Sequence, residues 1–346
     1  MEKNKQRLNW IDMCRGLIMI IVVMGHTLTT DSNLRFIIFT FHMPALFVIS
    51  GYVFKSRKFV ESTPKYAKRL LVPLYGAGAA LLVYRLIYIN IIGGTLDDII
   101  YWVKRTIVAV LFASGIDTPK GFPEVHTFGM LWFLAAMFWA MIIFSLIFYI
   151  IRKESVRAIV CVVLTIVGMI ISNYVWLPMN IDISLIVLVY LYVGHSLKRI
   201  DMDSKKKMIP LLVLCVIVWT INYLLKGRVE LALRKFDIVG LSYVASIAGS
   251  IVVIYLSKII YTDKKIFKPL CFIGRNSMTF LILHFMESNF IPWNIIYPGN
   301  VTYKKHIIIL FLLKLMVIVM TLYIWVKIKA FIKNERVMQI NRKENS

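Results

Sequence analysis

Residues 11–26 read IDMCRGLIMIIVVMGH. A stretch this apolar is suited to a bilayer, yet it carries Asp12, Arg15 and His26. Ionisable side chains are expensive in hydrocarbon, so those found there are functional candidates by default. On a helix, Arg15 and His26 are eleven residues apart, which puts them about 16 Å apart along the axis and within about 20° of one face. Asp12 lies one turn from Arg15 and can pair with it. A charged cluster at one end and a titratable base three turns deeper outline one wall of a cavity.

Outward from this segment, the chain has the composition of a membrane protein. Of its 346 residues 59% are hydrophobic and only 17% charged, with a mean hydropathy of +0.75. Apolar runs near the ~20 residues that a bilayer requires recur throughout. They predict an all-α, polytopic fold of about ten transmembrane helices at 11–29, 34–54, 70–92, 129–151, 156–173, 181–197, 207–225, 238–261, 270–290 and 305–330. Arg275, Asn276 and Glu287 interrupt the ninth. Residues 1–333 are expected to form one transmembrane domain and 334–346 a polar cytoplasmic tail. The 93–128 connection is too long for a tight turn. Its stretch LDDIIYWVKRTIVAVLFASG suits an interfacial or re-entrant helix, or equally a short hydrophobic piece packed as a lid.

The net charge of +23 would suggest nucleic acid in a soluble chain. Here the basic residues occupy alternate loops, KSRKFVESTPKYAKR, RKESVR, KRIDMDSKKK and TDKKIFK, and both termini. By the positive-inside rule both ends are cytoplasmic. The loop KGRVELALRK (226–235) dissents, being basic yet on the outer side. Lys3, Lys5 and Arg7 before an apolar core imitate a signal peptide, but charges interrupt that core, so it reads as a retained first helix. Cys14, Cys161, Cys215 and Cys271 fall singly in or beside apolar segments, without metal-ligand spacing. No metal site or disulfide framework is expected.

Two further segments share the chemistry of the first. FTFHMPALFVISGYVFK (39–55) places His42 beside Pro44 and follows with Ser50 and Gly51. FIGRNSMTFLILHF (272–285) carries Arg275 at one end and His284 deeper in the span. Three intramembrane histidines with two arginines point to a reaction site or proton path. Ser50-Gly51 reads equally well as close helix packing through small residues. Trp132, Trp139 and Trp219 read as packing or interface aromatics, and Glu124 with His126 as a solvated loop pair.

The R-x10-H spacing, FHMPALFVISGY, LWFLAAMF (131–138) and IGRNSMTFLILH together resemble the membrane acyltransferase-3 family, over essentially the whole chain. The wording of the second motif is most similar to the fucose O-acetylase-like branch. The resemblance implies acyl transfer from a cytoplasmic acyl-CoA, usually acetyl-CoA, to a hydroxyl of a cell-envelope polysaccharide, glycolipid or lipid-linked sugar in a bacterial inner membrane. Arg15 and His26 match the family's paired Arg and His. Where the family commonly has R-x-x-R after the second span, this chain offers Lys65, Lys68 and Arg69, a departure that keeps positive charge but loses arginine's bidentate fork.

On this reading Lys65, Lys68, Arg69 and Arg15 hold CoA phosphates, and His26 is the general base. Arg15, Ser50 or His42 meets the oxyanion, and His284 orients base or acceptor. The rival is a transporter or flippase for a lipid-linked glycan, which inverted repeats or broken helix pairs would favour. Neither is evident in the sequence. A partner or sensor that has lost catalysis is a third reading, against which the intact Arg15–His26 pair argues.

Overall fold

The computed structural model describes residues 8–56, 59–119, 124–297 and 304–344. Lys3, Lys5, Arg7, Arg57 and Lys58, part of the basic charge counted above, lie outside them. The chain opens with α1 (Asn9–Thr27) and α2 (Asn33–Tyr52). Next come α3 (Phe59–Tyr66) and α4 (Val72–Ile91), joined through a π turn at Ala67–Leu71. Pro73 explains that turn: it has no N–H to offer the Arg69 carbonyl, and the Val72 N–H reaches back five residues to Ala67.

α5 (Leu96–Phe112) folds back along α4 as an antiparallel hairpin. Its start is a capping box in which the backbone N–H and hydroxyl of Thr95 both donate to Asp98 Oδ2 at 2.8 Å. These bonds, the backbone one foremost, hold the Asp98 carboxyl below its ordinary range. Farther along, Arg85 donates to Thr106 at 2.7 Å. The long connection is thus a helix packed on its neighbour, with Leu96, Ile107 and Leu111 left exposed.

The remaining helices are α6 (Trp132–Ile150), α7 (Glu154–Ser172), α8 (Ile181–Ile186), α9 (Leu188–Leu197), α10 (Lys205–Leu224), α11 (Val239–Ile260), α12 (Lys268–Arg275), α13 (Ser277–Phe290), α14 (Trp293–Ile296) and α15 (Lys304–Glu344). α15 runs unbroken across the 333/334 boundary. A two-residue hairpin, β1 (Val229–Glu230) with β2 (Lys235–Phe236), sits between α10 and α11. Among the described residues, eight helices are long and apolar enough to cross a membrane, and ten if each of two bent pairs counts as one span. The expected ten segments coincide with these. The sequence reading saw no broken helices, and here it is corrected. The sixth span bends by 49° between α8 and α9, and the ninth by 74° between α12 and α13.

Two glycine crossings fix the centre of the bundle. A Cβ on Gly274 would stand 1.7 Å from the Asp12 carbonyl oxygen, and one on Gly16 would stand 2.0 Å from that of Leu270. The backbones of α1 and α12 therefore touch. Gly51 and Gly194 do the same for α2 and α9, with 1.9 Å to the Leu191 oxygen and 1.8 Å to the Val48 oxygen. Small residues allow this approach where lipid supplies no hydrophobic drive between helices.

The dissenting basic loop is matched in place. Arg234, buried, donates to Asp182 from Nε at 2.7 Å, donates to Asn180 at 3.0 Å, and stacks 3.8 Å over Trp176. Lys235 pairs with Asp237 at 3.3 Å. Of the loop's four cations, Arg234 is thus neutralised inside the protein and Lys235 is paired at its surface.

Candidate active site

One cavity, of about 330 Å³, opens among the basic loops. Arg15 of α1, Ser50 of α2, Lys55, and Lys65 and Arg69 around the π turn line its polar side. Met137, Met141 and Met278 form its apolar side. Lys68 stands exposed on the same turn without lining the cavity. Lys55 was missed as a site residue, because in sequence it is one loop cation among many.

A second cavity, of about 230 Å³, opens on the opposite face. His26 and His42 line it, with Phe39, Trp132, Arg35 and the β1–β2 hairpin residues Glu230 to Leu233. The His26 ring is accessible to the cavity and stands edge-on to Phe39 at 6.0 Å between centroids. The His42 Nδ1 lies 2.8 Å from the Ile38 carbonyl oxygen. A carbonyl only accepts, so Nδ1 carries the hydrogen and Nε2 keeps its lone pair. His284, fully buried, packs against His26 at 5.7 Å between ring centroids. The three intramembrane histidines therefore converge.

Arg15 and His26 do not share a cavity. On α1 the step from Arg15 to Val22, and on α2 the step from Ser50 to Met43, crosses from one cavity lining to the other. Seven residues are about 10 Å of helix. On α13 Met278 and Leu281 do so within one turn. Between them lie buried Ile18 and Met19, and Phe47 edge-on to Phe133 at 5.1 Å. This thin apolar partition separates two back-to-back cavities.

Asp12, expected beside Arg15, accepts from Arg275 Nε at 3.3 Å, and Arg275 also donates to Asn9 at 3.0 Å. This ties the start of α1 to the broken end of α12. The packing reading of Ser50-Gly51 holds at Gly51, the crossing with α9, while Ser50 lines the basic cavity. The Ser50 hydroxyl donates to the Leu46 carbonyl at 2.8 Å. Arg35, in the first turn of α2, is the guanidinium that shares a cavity with His26. It lies 4.1 Å over Phe39 and 3.9 Å from Glu230. Trp132, read as packing, lines the same wall, while Glu124 and His126 pair at 3.4 Å in their loop. No group of three or more metal-ligating side chains occurs among the described residues.

No curated protein and no solved structure matches the chain. Residues 8–328 match the family model described as an acyltransferase domain. That match takes in every spanning segment from α1 into α15, both cavities and all the residues placed above, and the chain belongs to the acyltransferase-3 family of membrane acyltransferases.

Proposed function

We propose that the protein moves an acyl group, acetyl in the first place, from acyl-CoA at the cytoplasmic face to a hydroxyl of a cell-envelope glycan or lipid-linked sugar, in a bacterial inner membrane. The observation that carries this reading is the pair of cavities: a cationic one among the basic loops and a histidine-lined one behind it, with only an apolar partition between. CoA is polyanionic and stays where Lys55, Lys65, Arg69 and Arg15 neutralise its phosphates. Its pantetheine arm points at the partition, which must part for the thioester to meet His26.

A sugar hydroxyl is a poor nucleophile and needs a base. Neutral His26 takes its proton as the oxygen attacks the thioester carbonyl; the C–S bond breaks and the proton ends on the CoA thiolate. Phe39 and Trp132 give a sugar ring apolar faces, and Glu230 and Arg35 give it polar edges. The wording of the α2 motif supports an acceptor of the fucose-like class.

The two bent spans favour a second reading, transport of a lipid-linked glycan, because broken helices build transporter sites. Labelled acetyl-CoA supplied to membranes with envelope glycan decides between them. Label appears in an alkali-labile ester, and His26→Ala lowers the rate by roughly 10²–10⁴-fold, as loss of a general base does. Membranes that neither bind nor consume any acyl-CoA would leave transport as the reading.

A further inference from the structure

Behind His26 lies a buried chain of charge that the reaction as written does not use. The Glu287 Oε2 sits 2.9 Å from His284 Nδ1, and Lys314 of α15 sits 3.6 Å from the other carboxylate oxygen. All three side chains are withdrawn from solvent, those of Glu287 and His284 almost wholly. A carboxylate oxygen at this distance accepts, so His284 Nδ1 carries the hydrogen, and Lys314 faces the other carboxylate oxygen. The lone pair is then left on Nε2, which is buried and has no hydrogen-bond partner among the described residues. The ring that carries it faces His26.

We infer that Glu287 is a positioning residue for acyl transfer: it fixes His284 with its lone pair on Nε2, so that His284 and His26 hold one proton between them. The inference rests on the acyltransferase reading. A carboxylate behind an imidazole sets its tautomer and stabilises its cation. His42 has only a backbone carbonyl in that position, so His284 is the histidine built to share charge. During transfer the acceptor hydroxyl gives its proton to His26. His284 shares that proton across the 5.7 Å ring contact, directly or through one water, with Glu287 balancing the charge. As the C–S bond breaks, the proton passes to the CoA thiolate, and the ester and CoA leave with no net proton gained or lost.

The groups facing His284 are few. Glu287 is on its own helix, Lys314 on α15 and His26 on α1, and α2 supplies His42 and Arg35 across the cavity. α4 presents Tyr84 to Phe290 at the far end of α13, and α12 contributes Arg275 at the break. Gly129–Leu131, packed on α13, has no ionisable side chain. Replacing Glu287 with a neutral group therefore removes the anion beside His284 that can balance a shared proton.

The test compares wild type with Glu287→Leu and Glu287→Gln in two ways. Solid-state NMR of full-length protein in lipid, with 15N-labelled histidine, reads the tautomer; six histidines are few enough for His284→Gln to assign the signal by its loss. The expected wild-type signal is the Nδ1–H tautomer; Glu287→Leu, which offers no acceptor, abolishes it, whereas the E287Q amide oxygen can still accept. The pH profile of acetyl-CoA-dependent transfer is the second readout. E287Q lowers kcat by about 10- to 100-fold, in the range of lost groups behind a working histidine. It also moves the acid limb to lower pH and leaves KM for acetyl-CoA in place. An Nε2–H tautomer in wild type, or a slowed E287Q whose acid limb has not moved, overturns the inference, the latter because loss of packing alone would do the same. Wild type inert toward every acyl-CoA overturns the acyltransferase reading and with it the catalytic role, while the NMR still decides whether Glu287 sets the tautomer.

Discussion

Whether a polar group in a cavity can do chemistry depends on where its hydrogen already goes. Ser50 lines the basic cavity, but its proton is committed to the Leu46 carbonyl at 2.8 Å. It can accept a hydrogen bond and has none to give to an oxyanion. Ser50→Ala is expected to keep transfer within about threefold of wild type, against the ~10²–10³-fold loss that follows removal of an oxyanion donor. Single-turnover rates with saturating acetyl-CoA measure this, and a loss of the larger size would return Ser50 to the reacting centre. His42 is limited in the same way by Ile38. Arg15, Asp12, His26, His42 and His284 were legible because a charged or titratable side chain inside an apolar run stands out. Partners distant in the chain were not. Asp12 pairs with Arg275, 263 positions away. Arg35 looks like any cation at the start of a span until the fold brings Phe39, Glu230 and His26 around it.

Among the elements, α1, α2, α9 and α12 are held by backbone contact, which makes glycine placement decisive. Gly274 and Gly76 are both helical, yet a Cβ on Gly274 would collide with the Asp12 oxygen while one on Gly76 meets nothing within 4 Å. Gly274→Ala should destabilise the protein by roughly 3 kcal/mol or more, since backbone must move. Gly76→Ala should stabilise α4 by about 0.5–1 kcal/mol by reducing the freedom of the unfolded chain. Thermal unfolding in one detergent compares the pair; equal midpoints would mean that the α1–α12 crossing is looser than described. The spans themselves were legible from apolar run length. The breaks within two of them were not, because neither Val187 nor Asn276 carries the proline signal that marks a kink in sequence. The 74° bend at Asn276 is an effect of partners: α12 is held flat on α1 by Gly16, Gly274 and the Asp12–Arg275 pair, while α13 turns away to carry His284 towards His26.

Across the whole molecule, the two cavities give acyl transfer a direction only if the basic face is the cytoplasmic one. The loop charges support that orientation, and in the one basic loop on the other face Asp182 pairs with Arg234 and Asp237 with Lys235. The four cysteines are free and buried, so they offer little background to an impermeant maleimide. Glu124, whose side chain is 84% exposed, belongs to the loop before α6 on the histidine side. Asp203, 86% exposed, belongs to the loop before α10 on the basic side. In intact cells the reagent should label Glu124→Cys and spare Asp203→Cys, and permeabilisation should make the second reactive. The reverse pattern would place the cationic cavity outside, away from CoA, and no acyl-CoA could serve as donor there. On the proposed function, the expected pattern leaves the donor inside and His26 open to the outer side, so that the acyl group, rather than either substrate, is what crosses the partition of Ile18, Met19, Phe47 and Phe133.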